Sequence, residues 1–237
     1  MQYEGHRLRH EYKYYINDEV YHVLRRRLSM VMERDEHMID DRGYLVSSIY
    51  FDDWYHSAMN EKIAGTRFRK KFRIRCYELR DQWIRLECKS KFHEYISKEG
   101  ARLSREEYDK LMQGSYEFLL GRREAVCQEL YGYHNTKGLK PVVVVEYKRE
   151  AYVSPLGNVR ITFDKDISAS TQALDVFVKQ YVTKKVLPNH MMVLEVKYDD
   201  YLPAHMQSIL QEACTDRCAI SKYVMCREEK SPANKCQ

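Results

Sequence analysis

FRKKFRIRCYELRDQWIRLECKSKF, residues 68–92, alternates between apolar and charged positions over most of its length, and that alternation decides the fold class. Phe72, Ile74 and Cys76 fall on one side and Lys71, Arg73 and Arg75 on the other. Past the polar link Arg80-Asp81-Gln82, Ile84, Leu86 and Cys88 alternate with Arg85, Glu87, Lys89 and Lys91. A period of two is that of a strand, so two long strands, 68–79 and 83–92, are expected to pair as a hairpin. An ordinary half-buried strand shows solvent a mixture of signs. Here the polar sides are almost all cationic.

The pattern continues outward. Glu11 and Lys13 share a side of a strand over 9–16, Arg160, Thr162 and Asp164 of one over 158–165, and Glu195, Lys197 and Asp199 of one over 190–199. Runs at 45–51 and 141–153 read as further strands, the latter turning back at Ser154-Pro155-Leu156-Gly157. Between strand pairs lie helical signals. Asn17-Asp18 caps a stripe of Val20, Val23, Leu24, Leu28 and Val31, and Asp53 is placed to cap a short helix ending before Gly65. Ser104 with Glu107 has capping-box spacing for a helix over 105–113, further helices are expected over 116–130 and from Pro203 to 214, and a last short segment is expected over 221–226. Long strands with helices inserted between pairs predict an α+β class and an antiparallel barrel with helices packed outside, not a βαβ sheet. No Gly-x-Gly-x-x-Gly and no Walker loop occurs in the sequence.

The polar sides carry Lys13, Lys71, Arg73, Arg75, Arg85, Lys89, Lys91, Arg160 and Lys197 against Glu11, Glu87 and Glu195. Two like charges about 6 Å apart repel by roughly 3 kcal/mol at an effective dielectric near 20. A basic lumen of this kind calls for water and, better, a polyanion. The net charge over 237 residues is only +5, so distribution says more than the sum. Seven cysteines without a Cys-x-x-Cys pair argue against a disulfide framework, and Cys214 with Cys218 finds no matching pair that would make a zinc site. No apolar stretch is long enough to span a bilayer and the first ten residues are polar and basic, so a cytoplasmic protein is expected: one domain over 1–226 and a flexible tail over 227–237.

Eight short motifs now fall in order: Glu11-Tyr-Lys13-Tyr14, Ser48-Ile-Tyr50-Phe51-Asp52, Lys71-Phe-Arg73-Ile-Arg75, Glu87-Cys-Lys89-Ser-Lys91, Tyr147-Lys-Arg149, Val159-Arg160-Ile-Thr162-Phe-Asp164, Leu194-Glu195-Val-Lys197 and Ser221-Lys222-Tyr223. From about residue 7 to 226 the chain resembles the VTC polyphosphate polymerase domain of the CYTH-like triphosphate tunnel superfamily. The resemblance implies an eight-stranded tunnel and a metal-dependent phosphotransferase that moves the γ-phosphate of ATP onto a growing inorganic polyphosphate chain. Alternatives are a tunnel triphosphatase acting on tripolyphosphate or a nucleoside triphosphate, and a non-catalytic polyphosphate or inositol-phosphate binding module. By position, Arg73, Arg75, Arg149 and Arg160 match phosphate-gripping arginines, Lys13, Lys89, Lys91 and Lys222 match lysines, and Ser221 matches a phosphate-contacting serine.

Lys13, Arg73, Arg75, Lys89, Arg149 and Arg160 are thus the expected catalytic set, with Lys71, Lys91, Lys197, Ser221 and Lys222 binding substrate. Glu195, assisted by Glu11 or Glu87, is the expected ligand of Mn²⁺ or Mg²⁺. No nucleic acid is expected, and the absence of the membrane and phosphate-sensing modules of eukaryotic relatives leaves room for an unidentified membrane or accessory partner. Two features depart from the pattern. Ala219 stands where the family commonly has a basic residue, with Arg217 nearby as a substitute, and strict alternation puts Glu146 and Lys148 opposite Arg149 unless a bulge intervenes. Tyr12, Tyr14, Tyr50, Tyr147 and Tyr223 read mostly as barrel wall.

Overall fold

The computed structural model describes residues 9–38, 40–93, 95–178, 182–211 and 217–228, with the backbone of 2–3 and 6–7. Eight long strands are labelled in chain order: β1 His10–Asn17, β2 Tyr44–Asp52, β3 Phe68–Tyr77, β4 Arg80–Phe92, β5 Tyr95–Leu103, β6 Lys140–Ser154, β7 Val159–Ser170 and β8 Met191–Tyr198. The helices are α1 Asp18–Leu28, α2 Ser57–Ile63, α3 Arg105–Met112, α4 Ala125–Lys137, α5 Ala204–Gln211 and α6 Lys222–Glu228. The β1–β8, β8–β7, β2–β3, β3–β4 and β4–β5 pairings are antiparallel, as the sequence predicts for an α+β fold. Among the described residues no helix is long and apolar enough to cross a membrane.

The chain forms two compact units, each assembled from separate segments. The first comprises Met1–Leu45, Tyr147–Ile167 and Leu187–Ser221. Its strands follow the order β1-β8-β7-β6, with Lys13 opposite Glu195 and Arg160 opposite Lys197. Ile16, Phe163, Leu194 and Val196 point to the side covered by α1 and α5, where they pack with Leu24, Leu28, Met206 and Leu210. Asn17 caps α1 by accepting from the Val20 amide at 2.9 Å. The buried face of α1 is Tyr21, Leu24 and Leu28; Val23 and Val31 of the expected stripe are exposed. The stripe is rotated because Tyr21 reaches the buried Glu150 carboxylate, donating to it at 2.7 Å.

The second unit comprises Val46–Glu146, Ser168–Val186 and Lys222–Gln237, of which 229–237 lie outside the described residues, as does most of the expected tail. Its strands follow β6-β2-β3-β4-β5. Phe72, Ile74, Leu86 and Leu103 pack beneath α3 and α4 with Tyr108, Leu111 and Leu130. The expected capping box of α3 is present, with Ser104 Oγ accepting from the Glu107 amide at 3.1 Å.

Several boundaries differ from expectation for identifiable reasons. The β3–β4 turn lies at Glu78-Leu79, both at positive φ, and Arg80-Asp81-Gln82 belongs to β4. Paired left-handed residues match the twist of a two-residue hairpin, but Glu-Leu lacks the usual Asn-Gly signature. The expected helix over 116–130 is a 3₁₀ turn at Glu117–Gly121 and then α4, interrupted where Arg122 pairs with Glu107 and Glu124. Strand β5 was not expected at all.

Candidate functional site: two charged sheet faces

In the second unit the face opposite the core is cationic. Lys71, Arg73 and Arg75 of β3 lie beside Arg85, Glu87, Lys89 and Lys91 of β4, and β5 adds Lys98 and Arg102. Glu87 is the one carboxylate among the positions that pair in register on this side of β3, β4 and β5, and it is 3% exposed. It holds Arg73 Nε at 2.7 Å, Lys98 Nζ at 2.6 Å and Arg75 Nη2 at 3.8 Å. Burial pushes its carboxyl up, but Arg73, Arg75 and Lys98 together hold it down at about 2. On β2, Tyr50 accepts from Arg73 Nη1 at 3.0 Å, and Lys71 Nζ stands 5.1 Å from its ring centroid. Two buried polar atoms on this face have no protein partner, Arg75 Nε and Ser48 Oγ, whose residues sit opposite one another in register. Buried polar groups are normally satisfied, so this pair points to a ligand.

In the first unit the corresponding face mixes its signs. Lys13 Nζ bridges Glu11 at 2.8 Å and Glu195 at 3.8 Å, and Lys197 pairs with Glu195. Arg149 is held bidentately by the fully buried Asp164, at 2.6 and 2.7 Å, and burial costs its charge less than Asp164, Tyr147 and Glu195 return, so its pKa stays well above the ordinary value. Arg160 pairs with Asp35 and donates to Tyr44 at 3.2 Å. Thr162, in register with Glu195, has a buried Oγ1 without a protein partner.

Of the expected metal ligands, Glu11 and Glu195 therefore lie together in the first unit and Glu87 lies in the second. No cluster of three or more metal-ligating side chains occurs among the described residues. Mg²⁺ commonly takes one or two carboxylates and fills its shell with water and phosphate oxygens, so Glu11 and Glu195 beside the unpartnered Thr162 hydroxyl fit such an ion. Ser221 is buried in the first unit, and Lys222 begins α6 in the second. Arg217 stacks over the Tyr12 ring at 3.8 Å on the first unit's helix-bearing side. Cys214 lies outside the described residues.

Alternation alone resolves Glu146 and Lys148, with no bulge required. Glu146 faces the core side, where Ser47 donates to it at 2.5 Å, and Lys148 is exposed, while Arg149 turns to the charged face. The Tyr223 hydroxyl donates to Asp52, which leaves its ring against Tyr50 at 5.1 Å. Lys98 and Asp35 are charged neighbours of the expected site residues that the sequence did not single out, and Asp164 was placed on a charged side without being paired with Arg149. Lys98 carried a signal in the alternation of Lys98, Gly100 and Arg102 with Ala101 and Leu103; Asp35 sits in a loop and carried none.

The VTC domain matches residues 8–229. The chain belongs to the VTC domain family. No curated protein matches the chain in sequence. Among solved structures, this VTC domain is similar to a Hippeastrum protein described as an adenylyl cyclase with a dominant triphosphatase activity. The TM-score is 0.55 at 12% identity over 93% of this chain and 96% of that one. It is also similar to adenylate cyclase-like proteins from Bacillus halodurans, TM-score 0.46 at 13% identity over 87% of each chain. A Vibrio parahaemolyticus protein gives 0.47 at 11% over 92% of this VTC domain and 97% of its own length. The likeness to the Hippeastrum protein is one of fold.

Proposed function

We propose that this VTC domain is a cytoplasmic phosphotransferase that moves the γ-phosphate of ATP onto an inorganic polyphosphate chain. The observation that carries the reading is the second unit's face, where the paired positions of β3, β4 and β5 bring nine cations, Arg69, Lys71, Arg73, Arg75, Arg85, Lys89, Lys91, Lys98 and Arg102, to one carboxylate, Glu87. Phosphoryl transfer asks mainly for positioning and for cations where charge sits in the transition state. Arginine forks on Arg73 and Arg75 match phosphate oxygens, lysines 71, 89 and 91 act as point charges, and the unpartnered Arg75 Nε and Ser48 Oγ supply hydrogen bonds. In the first unit, Lys13, Lys197, Arg149, Arg160 and Ser221 are proposed to bind phosphate. Glu195 with Glu11 would hold Mn²⁺ or Mg²⁺, which when bound neutralises phosphate oxygens as a Lewis acid. Glu87, enclosed by three cations, organises those cations instead.

Transfer is favoured over hydrolysis by the state of the acids. A hydrolase must orient and deprotonate water. Glu87, held at about 2 by its cations, is a poor base, and Asp164 is spent on Arg149. A terminal phosphate is already anionic and needs none. The triphosphatase described for the Hippeastrum protein makes hydrolysis the second reading. Purified protein given ATP, Mn²⁺ and pyrophosphate as primer should yield long polyphosphate on a gel. Orthophosphate release without chain growth would instead establish the hydrolase, and saturable tripolyphosphate binding without turnover the binding module.

A further inference from the structure

Tyr50 is 4% exposed on β2, and its surroundings are cationic. From β3, Arg73 donates to its hydroxyl at 3.0 Å, Lys71 Nζ lies 5.1 Å from the ring centroid, and Arg75 adds its charge. From α6 the Tyr223 ring packs on it, with the Tyr223 hydroxyl turned to Asp52. On its other flank β6 brings the buried Val143 and Val145. Glu87 on β4 is the carboxylate shared among Arg73, Arg75 and Lys98, and Asp52 follows Tyr50 two positions along β2. Three cations therefore converge on this phenol, and its oxygen is already the acceptor of Arg73.

We propose that Tyr50 ionises on its phenol oxygen at mildly alkaline pH in the ligand-free protein and takes up a proton when phosphate occupies the Lys71, Arg73 and Arg75 face, making anion binding proton-linked. The inference rests on the phosphate-binding reading of that face. The balance is simple: the incoming phosphate supplies the negative charge that the phenolate had supplied, and one proton from solvent converts phenolate to phenol. Burial alone pushes the Tyr50 phenol up, but Arg73, Lys71 and Arg75 pull it further the other way, to about 7 from 10.0. Lys98, which burial among the same cations pushes down to about 8, titrates in the adjoining range. The pH dependence of the wild type is thus shared between two groups, and the Tyr50→Phe difference isolates one.

The test uses the full chain and tripolyphosphate. The ultraviolet tyrosinate band should report one tyrosine titrating near 7, well below the ordinary value of about 10. Saturating tripolyphosphate at about pH 8 should erase it, and Tyr50→Phe should lack it. Calorimetry in buffers of different ionisation heat should find less proton uptake on binding to Tyr50→Phe than to wild type. Affinity of the wild type should fall by up to about tenfold per pH unit relative to the variant above pH 7, so the variant binds more tightly at high pH. Tight binding with no low-titrating tyrosinate, or with equal proton uptake in both proteins, overturns the proposal and leaves the phosphate site standing. Failure to bind tripolyphosphate even at pH 6 overturns both. Should the variant not fold, the wild-type tyrosinate signal with and without tripolyphosphate still decides.

Discussion

Arg73 and Arg149 were indistinguishable in the sequence, each an arginine on the charged side of a strand, and their environments separate them. Arg73 shares Glu87 with Arg75 and Lys98, so Arg73→Ala leaves that carboxylate with two cations and relieves crowding on the face. Arg149 is the bidentate partner of a fully buried Asp164. Removing one member of a buried pair costs about 3–5 kcal/mol, whereas replacing both with apolar groups is often neutral. Chemical denaturation should find Arg73→Ala within about 1 kcal/mol of wild type yet without polymer synthesis. Arg149→Ala should be strongly destabilised, and the double variant Arg149→Met with Asp164→Leu should recover most of the loss. Equal destabilisation by Arg73→Ala and Arg149→Ala would assign both to the scaffold. Alternation exposed the side of the strand on which Arg73 stands, and for Arg149 it left a bulge to be decided. It did not expose the counter-ion, which comes from a strand or loop distant in sequence: residue 164 for Arg149, residue 35 for Arg160.

At the scale of elements, legibility followed the strength of the periodic signal. β3 and β4 alternate cleanly and were read as strands; β5, with Lys98-Glu99-Gly100 in succession, has too weak an apolar side until Ala101 and Leu103. The β3–β4 turn was misplaced because Glu78 and Leu79 adopt positive φ without glycine. Glycine is indispensable where space fails as well. Gly43, just before β2, has φ +91°, and a Cβ there would lie 2.1 Å from the Arg149 carbonyl oxygen. Gly114, after α3, has φ +87° but nothing within 4 Å. Left-handed backbone alone costs about 1–2 kcal/mol for an L-residue. Gly114→Ala should therefore lose only that amount, while Gly43→Ala must also displace the β6 backbone beside Arg149 and should lose distinctly more. Thermal melts of the two variants compare them directly, and equal losses would mean that the close approach is freely relaxed.

For the molecule as a whole, net charge conceals an uneven distribution, since the total is +5 while the paired positions of β3, β4 and β5 on one face of the second unit carry nine cations against Glu87. Such a face repels itself when empty and attracts polyanions, so salt should act on stability and on binding with opposite signs. Screening at about 0.15 M ionic strength has a reach near 8 Å, comparable to spacings across neighbouring strands. Added KCl should raise the melting temperature of the ligand-free protein by relieving repulsion among Lys71, Lys89, Lys91 and their neighbours. Tripolyphosphate at a hundred times its Kd should stabilise by about 2.7 kcal/mol, a rise of roughly 5–11 °C for a chain of this size. Because the same screening weakens the ion's attraction, that increment should shrink as KCl increases at fixed tripolyphosphate. Differential scanning fluorimetry over a grid of the two solutes measures both slopes. A ligand-free melting temperature that falls with KCl, or a tripolyphosphate increment indifferent to it, would mean that the cations of this face are neutralised within the protein and do not constitute an anion site.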